Sequence, residues 1–133
     1  MSREELADQI RRFLEERDDD IVAAWLFGSI ARGEDRAGSD VDLALLTDKP
    51  RPATLLAQPL DIEADLTKLV GRPVQAVLAR TAPTDLVHRI MRDGLLLIDR
   101  DRSARIAFEV AARNRYFDMS PLWRLYRTPR KAS

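Results

Sequence analysis

The sequence predicts an α/β domain, and three observations carry that prediction. Apolar runs of strand length alternate with segments whose apolar residues recur at helical spacing. At 133 residues the chain is long enough to bury one core without staples. Its 45% hydrophobic and 33% charged residues, with five glycines and seven prolines, are the balance of an ordinary globular protein.

The elements follow in order. Ser2-Arg3-Glu4-Glu5 has the capping-box form, and Leu6, Ile10, Phe13 and Leu14 then share one helical face, predicting a first helix to about Arg17. After Asp18-Asp19-Asp20, the unbroken apolar run Ile21 to Phe27 reads as a central strand covered on both faces. Gly28-Ser29 leads into a short polar stretch containing Gly33 and Gly38. Val41 to Leu46 is then a second strand, with Asp40 and Asp42 on one face and Val41 and Leu43 on the other. Lys49-Pro50-Arg51-Pro52 is a loop, and residues 54–70 form a helix that Pro59 kinks or delays and Gly71 stops. Pro73 to Leu78 is a third strand. Pro83 opens a helix carrying Leu86, Val87, Ile90 and Met91, and Gly94 closes it before the strand Leu95 to Ile98. From Asp101, Ile106, Val110 and Phe117 mark a long helix, and Pro121 begins a short last one with Leu122, Trp123, Leu125 and Tyr126, before the tail Thr128–Ser133. The expectation is one domain over 1–133, with 100–127 as its helical, basic extension.

Composition narrows the chemistry. The chain has no cysteine and one histidine, which excludes disulfides, thiolate metal sites, cysteine nucleophiles and His-rich metal centres. MSREELADQI lacks the apolar core of a signal peptide, and Ile21 to Phe27, the longest apolar run, is far short of a membrane span; a cytoplasmic location is expected. The formal charge of zero hides an asymmetry: residues 1–99 carry 13 basic and 19 acidic side chains, residues 100–133 carry 9 and 3. A basic end of this kind meets RNA, meets an acidic protein surface, or folds back on the acidic body.

The informative segment is GSIARGEDRAGSDVDL, from Gly28 to Leu43. A glycine in a turn at a strand's end lets phosphate oxygens approach backbone N–H groups and the Ser29 hydroxyl. Ten residues separate Ser29 from Asp40, and Asp40 and Asp42 project from one side of a strand. Two carboxylates so spaced suit a hard, oxygen-preferring cation such as Mg²⁺, which would bridge them to a triphosphate. Either feature alone is common, but paired carboxylates beside buried strands are costly unless something cationic meets them.

This segment resembles the signature of the polymerase-β-like nucleotidyltransferases, a Gly-Ser turn followed by an Asp-x-Asp pair. Together with LVHRIMRDGLLLIDRD and RYFDMSPLWRLYR, it is similar to the minimal nucleotidyltransferases (MNT) that serve as antitoxins in HEPN–MNT toxin–antitoxin pairs, over nearly the whole chain. The resemblance implies a mixed sheet with flanking helices. It also implies use of ATP and Mg²⁺, and transfer of AMP to a tyrosine of a HEPN ribonuclease toxin, which silences it. By position, it implies that Gly28 and Ser29 hold the triphosphate with Arg32 as a phosphate neighbour, and that Asp40 and Asp42 are the catalytic, metal-holding pair.

One position departs from the family pattern. A third carboxylate is common on the strand after the glycine, where Val74-Gln75-Ala76-Val77 stands here, so Gln75 takes the place of that acid. An amide holds a metal weakly and is no base at neutral pH. Three alternatives follow. Another carboxylate substitutes, with Glu63, Asp65 and Asp99 as candidates; the enzyme runs slowly on two carboxylates and water; or the chain neutralises its partner by binding alone.

His88 reads as a surface or boundary residue, and Trp25 as core. Tyr116, Phe117, Trp123 and Tyr126 interleave with Arg113, Arg115, Arg124 and Arg127, a pattern that packs terminal helices, docks a protein or stacks RNA. No contact with DNA or a membrane is expected. At this length no second domain builds a small-molecule pocket, which favours a macromolecular acceptor over an aminoglycoside-like one.

Overall fold

The computed structural model describes residues 2–17, 19–36, 38–51 and 58–127, with 120–127 as backbone only. Helix α1 (Arg3–Glu15) begins at the expected N-cap: Ser2 Oγ accepts from the Glu5 N–H at 3.1 Å and donates to the Glu5 carboxylate. It buries Leu6, Ile10 and Leu14, with Phe13 half-buried. Strand β1 (Ile21–Phe27) leads into α2 (Gly28–Ala31), a single helical turn where the sequence suggests only a polar stretch. Strand β2 (Val41–Thr47), helix α3 (Leu60–Val70) and strand β3 (Val74–Leu78) follow. Helix α4 (Thr84–Asp93), strand β4 (Leu95–Asp99) and helix α5 (Arg102–Arg127) complete the order.

The four strands form one mixed sheet in the order β3-β2-β1-β4. β1 runs antiparallel to β2 and β4, while β2 and β3 are parallel. One face carries Leu43 and Leu45 of β2 with Val74 and Ala76 of β3, packed under α1 and α3 through Ile10, Leu14, Ile62 and Leu66. The other carries Trp25, Ala44 and Leu46 under Val87 and Ile90 of α4 and Phe108 and Ala112 of α5. Both interior strands are therefore covered on both sides, which is why their sequences are continuous apolar runs rather than alternating ones. Trp25 is core, its ring centroid 6.3 Å from that of Phe108.

Edge strand β3 has its outward N–H groups met by α3. Thr67 Oγ1 accepts from Val74 N at 3.1 Å, and a Glu63 oxygen accepts from Ala76 N at 2.7 Å. Pro59 caps α3 rather than kinking it, because a residue without an N–H fits where no intrahelical partner exists. Residues 54–57, the expected start of that helix, and the tail 128–133 lie outside the described residues. At the other end Gly71, at φ 71°, closes α3 with its N–H on the Thr67 carbonyl.

One expectation about the C-terminal region is corrected. Pro121 does not begin a new helix; α5 continues through it, since a proline removes one backbone bond without ending the helix when the flanking turns hold. The side chains of Leu122, Trp123, Leu125 and Tyr126 lie outside the described ones. Ile106, Val110 and Phe117, the stripe that signals the helix, are exposed, and Phe108 and Ala112 face the sheet instead. Residues two apart on a helix point about 200° apart, so one segment holds two apolar stripes and only packing selects the buried one. Part of the basic end does fold back. Arg100 donates to the carbonyls of Leu14, Arg17 and Ile21 and pairs with Asp19; Arg105 pairs with Asp99 and Glu109. Among the described residues, no helix is long and apolar enough to cross a membrane.

Candidate active site

The antiparallel pairing of β1 and β2 builds the site. Phe27 lies opposite Asp42, so the end of β1, where the chain turns at Gly28, meets the start of β2, where the aspartates stand. Gly28 has φ 77°, and a Cβ there would collide with the Asp42 carboxylate. Only glycine lets the backbone take this turn and pass so close to an acid. Ser29 and Arg32 follow on and just after α2, and the Arg32 guanidinium pairs with Glu34 at 3.1 Å.

The intervening loop is held in place. Arg72 donates to the Ser39 carbonyl at 3.0 Å and pairs with Asp35, and Ser39 Oγ accepts from Arg36 N at 2.8 Å. These bonds deliver Asp40 to the head of β2, where it is exposed while Asp42 is half-buried. Burial pushes the Asp42 carboxyl above its ordinary range, and the Asp40 charge pushes it the same way; Arg32 opposes both.

An open cleft of about 340 Å³ is lined by Phe27, Gly28, Ser29, Arg32 and Asp42 on the sheet side, and by Leu86, Arg89 and Asp93 of α4 on the other. Four of the residues picked out in the sequence thus share one cavity, with Asp40 two residues from Asp42 on the same strand end. The α4 wall was missed. Leu86, Arg89 and Asp93 do recur at helical spacing, but nothing in the sequence shows that this stripe faces the Gly-Ser turn. Asp93 is gripped by Arg92, whose Nε and a terminal nitrogen sit 3.1 and 2.9 Å from its two oxygens. That hydrogen bonding holds the Asp93 carboxyl below its usual range against the opposing effect of desolvation, with the charges of Arg92, Arg32 and His88 adding to it.

Gln75 stands beside Asp42 in the β2–β3 register, and its Nε2 donates to Asp40 Oδ2 at 3.4 Å. The candidate substitutes for a third acid are elsewhere. Glu63 is bonded to the β3 backbone from the α3 side of the sheet, and Asp65 is exposed on that same helix. Asp99 pairs with Arg105 and lies opposite Ala23, toward the far end of β1 from Gly28. Among the described residues no cluster of three or more His, Cys, Asp or Glu side chains is arranged to hold a metal. His88 is no free surface imidazole: its ring stacks on Tyr116 at 3.6 Å, with 7° between planes.

The site's donors suit magnesium. Asp40 and Asp42 offer only oxygen, and a half-buried carboxylate already disfavoured by its neighbour's charge gains most from a cation.

The same fold occurs in solved structures of toxin–antitoxin complexes. A chain of one solved with AMP-PNP matches with a TM-score of 0.76 at 21% identity, over 90% of this chain and 94% of that one. A chain of the MntA-HepT toxin–antitoxin matches with a TM-score of 0.71 at 19% identity, over 92% and 94%. A third comes from the complex of tri-AMPylated Shewanella oneidensis HEPN toxin with MNT antitoxin, with a TM-score of 0.72 at 18% identity, over 93% and 94%. No curated protein matches in sequence. The family model for polymerase beta nucleotidyltransferases spans residues 8–103, taking in both strands that bring Gly28 to Asp42 and all of α4, and this chain belongs to that family.

Proposed function

We propose that the chain is an MNT antitoxin that transfers AMP from ATP to a tyrosine hydroxyl of a HEPN ribonuclease toxin, silencing it. The observation that carries this reading is the close approach of the Gly28 turn to Asp42, with Asp40 on the same strand end. Support comes from the family and from the likeness to chains of complexes described as bound to AMP-PNP or holding a tri-AMPylated HEPN toxin.

In this mechanism Asp40 and Asp42 would hold Mg²⁺, which would supply neutralisation of the charge that develops on the phosphates. The Gly28 backbone, the Ser29 hydroxyl and Arg32 hold the triphosphate in the cleft. The acceptor oxygen bonds the α-phosphorus while the bond to the bridging oxygen breaks, and its electron pair leaves with pyrophosphate. Gln75 cannot take the acceptor's proton, which therefore passes to water. Loss of a positioned general base typically costs on the order of 10²–10⁴ in rate, so the enzyme is slow rather than inert.

The hydrogen bond from Gln75 to Asp40 also supports a second reading, a nucleotidyltransferase-fold antitoxin that occludes its partner without chemistry. Intact mass spectrometry of the HEPN partner, incubated with this protein, ATP and Mg²⁺, separates the two. Transfer adds whole adenylyl units that disappear when a tyrosine of the partner is changed to phenylalanine. An unchanged mass at every enzyme ratio, with binding retained, rejects catalysis. Under the occlusion reading, Asp40→Asn with Asp42→Asn still protects cells from the toxin; under the transfer reading that variant fails.

A further inference from the structure

We propose that Arg89 receives the outer phosphates of ATP and the departing pyrophosphate, which run along α4 away from the sheet; this rests on the nucleotidyl-transfer reading above. Arg89 projects from the helical wall opposite Gly28, Ser29 and Asp42. It also lines a neighbouring groove of about 310 Å³ with Asp85, His88, Arg92 and Tyr116, and so stands on the ridge between the two cavities.

Its charge differs from that of the arginines around it. Arg32 is paired with Glu34, and Arg92 grips both oxygens of Asp93. Among the described residues no carboxylate lies within ion-pair distance of Arg89, which is exposed. A guanidinium free of internal neutralisation, facing a cavity whose other wall carries the acidic pair, is set up to meet an external anion.

The two walls then divide the triphosphate. The aspartates and the glycine turn define the reacting end at the sheet. The opposite wall continues outward from Arg89 into the groove it shares with Asp85, His88 and Arg92. When the α-phosphorus parts from the bridging oxygen, negative charge grows on pyrophosphate, the group at the Arg89 end. Neither composition nor motif spacing pointed to Arg89, because it lies far along the chain from the Gly-Ser turn.

Titration calorimetry on the full chain with Mg²⁺ tests the assignment, using a non-hydrolysable ATP analogue, pyrophosphate and AMP as probes. Arg89→Ala weakens the analogue and pyrophosphate by about tenfold to a hundredfold, the worth of a charge-assisted contact, while AMP changes by less than about twofold. Arg89→Lys recovers part of the loss, and Arg12→Ala, an exposed arginine on α1, changes none of the three. Circular dichroism confirms that each variant is folded. Unchanged analogue and pyrophosphate binding in Arg89→Ala, or an equal loss for AMP, overturns the assignment and leaves the transfer reading standing. Wild-type protein that takes up no nucleotide with Mg²⁺ overturns the transfer reading, and this one with it.

Discussion

Gln75 and Asp40 meet across two parallel strands, the amide nitrogen donating to the carboxylate oxygen at 3.4 Å. The amide carries no charge and cannot act as a base at neutral pH. Gln75→Asp is therefore expected to raise the rate of AMP transfer by roughly tenfold to a hundredfold, at or below the contribution of a positioned general base. The same change adds a like charge beside Asp40 and lowers the melting temperature of metal-free protein. Rate measurements with a HEPN partner and thermal unfolding in chelator check both arms; an unaltered rate removes Gln75 as the limit on catalysis.

Gly28→Ala tests the turn. A left-handed backbone costs a residue with a side chain about 1–2 kcal/mol, and here the new methyl also strikes the Asp42 carboxylate. Denaturant unfolding should show at least that loss, and nucleotide uptake should be abolished. Gly33→Ala has comparable φ, 72°, but open space around it, so it is expected to cost stability while leaving uptake intact.

Asp42 supplies a pH signature. Its carboxyl is raised in the fold, so its ionisation opposes folding, and stability is lost as pH rises through the raised value. Metal-free Asp42→Asn should therefore melt higher than wild type at pH 7. The difference shrinks as pH falls and vanishes below the ordinary aspartate value of 3.8. Adding Mg²⁺ reverses the order, because only the wild type gains a ligand. Melting curves across pH, with and without the metal, read this directly.

Arg100 ties three elements that the sheet alone does not join. Its guanidinium donates to carbonyls at the end of α1, in the turn after it and at the start of β1. Arg100→Ala leaves those carbonyls without their donor and should cost about 2 kcal/mol in urea unfolding. Nucleotide binding in the folded variant should persist, since β1 separates this cluster from Gly28.

How much was legible follows from how local each signal is. The Ser2 N-cap, the Gly71 stop and the two uninterrupted apolar strands are short-range effects, and each element formed where its residues placed it. Within the site, the alternation along a strand put Asp40 and Asp42 on one side, while Gln75 was singled out by the family resemblance alone. Not legible were the passage of α5 through Pro121, the single turn α2, and the rotation of side chains about their helices. Ile106 and Phe117 advertised the helix yet turned outward, and Glu63, Asp65 and Asp99 could not be assigned a face.

The chain order alone determined the alternation of helices and strands, the glycine turn and the acidic pair, because φ preference, hydrophobic period and strand alternation act over a few residues. Tertiary structure alone decided that β1 and β2 pair antiparallel, with Phe27 beside Asp42, and that α4 turns Arg89 and Asp93 toward them. A helix's rotation about its axis is set by the packing of Val87 and Ile90 on the sheet, a contact between residues far apart in the chain that no local pattern encodes.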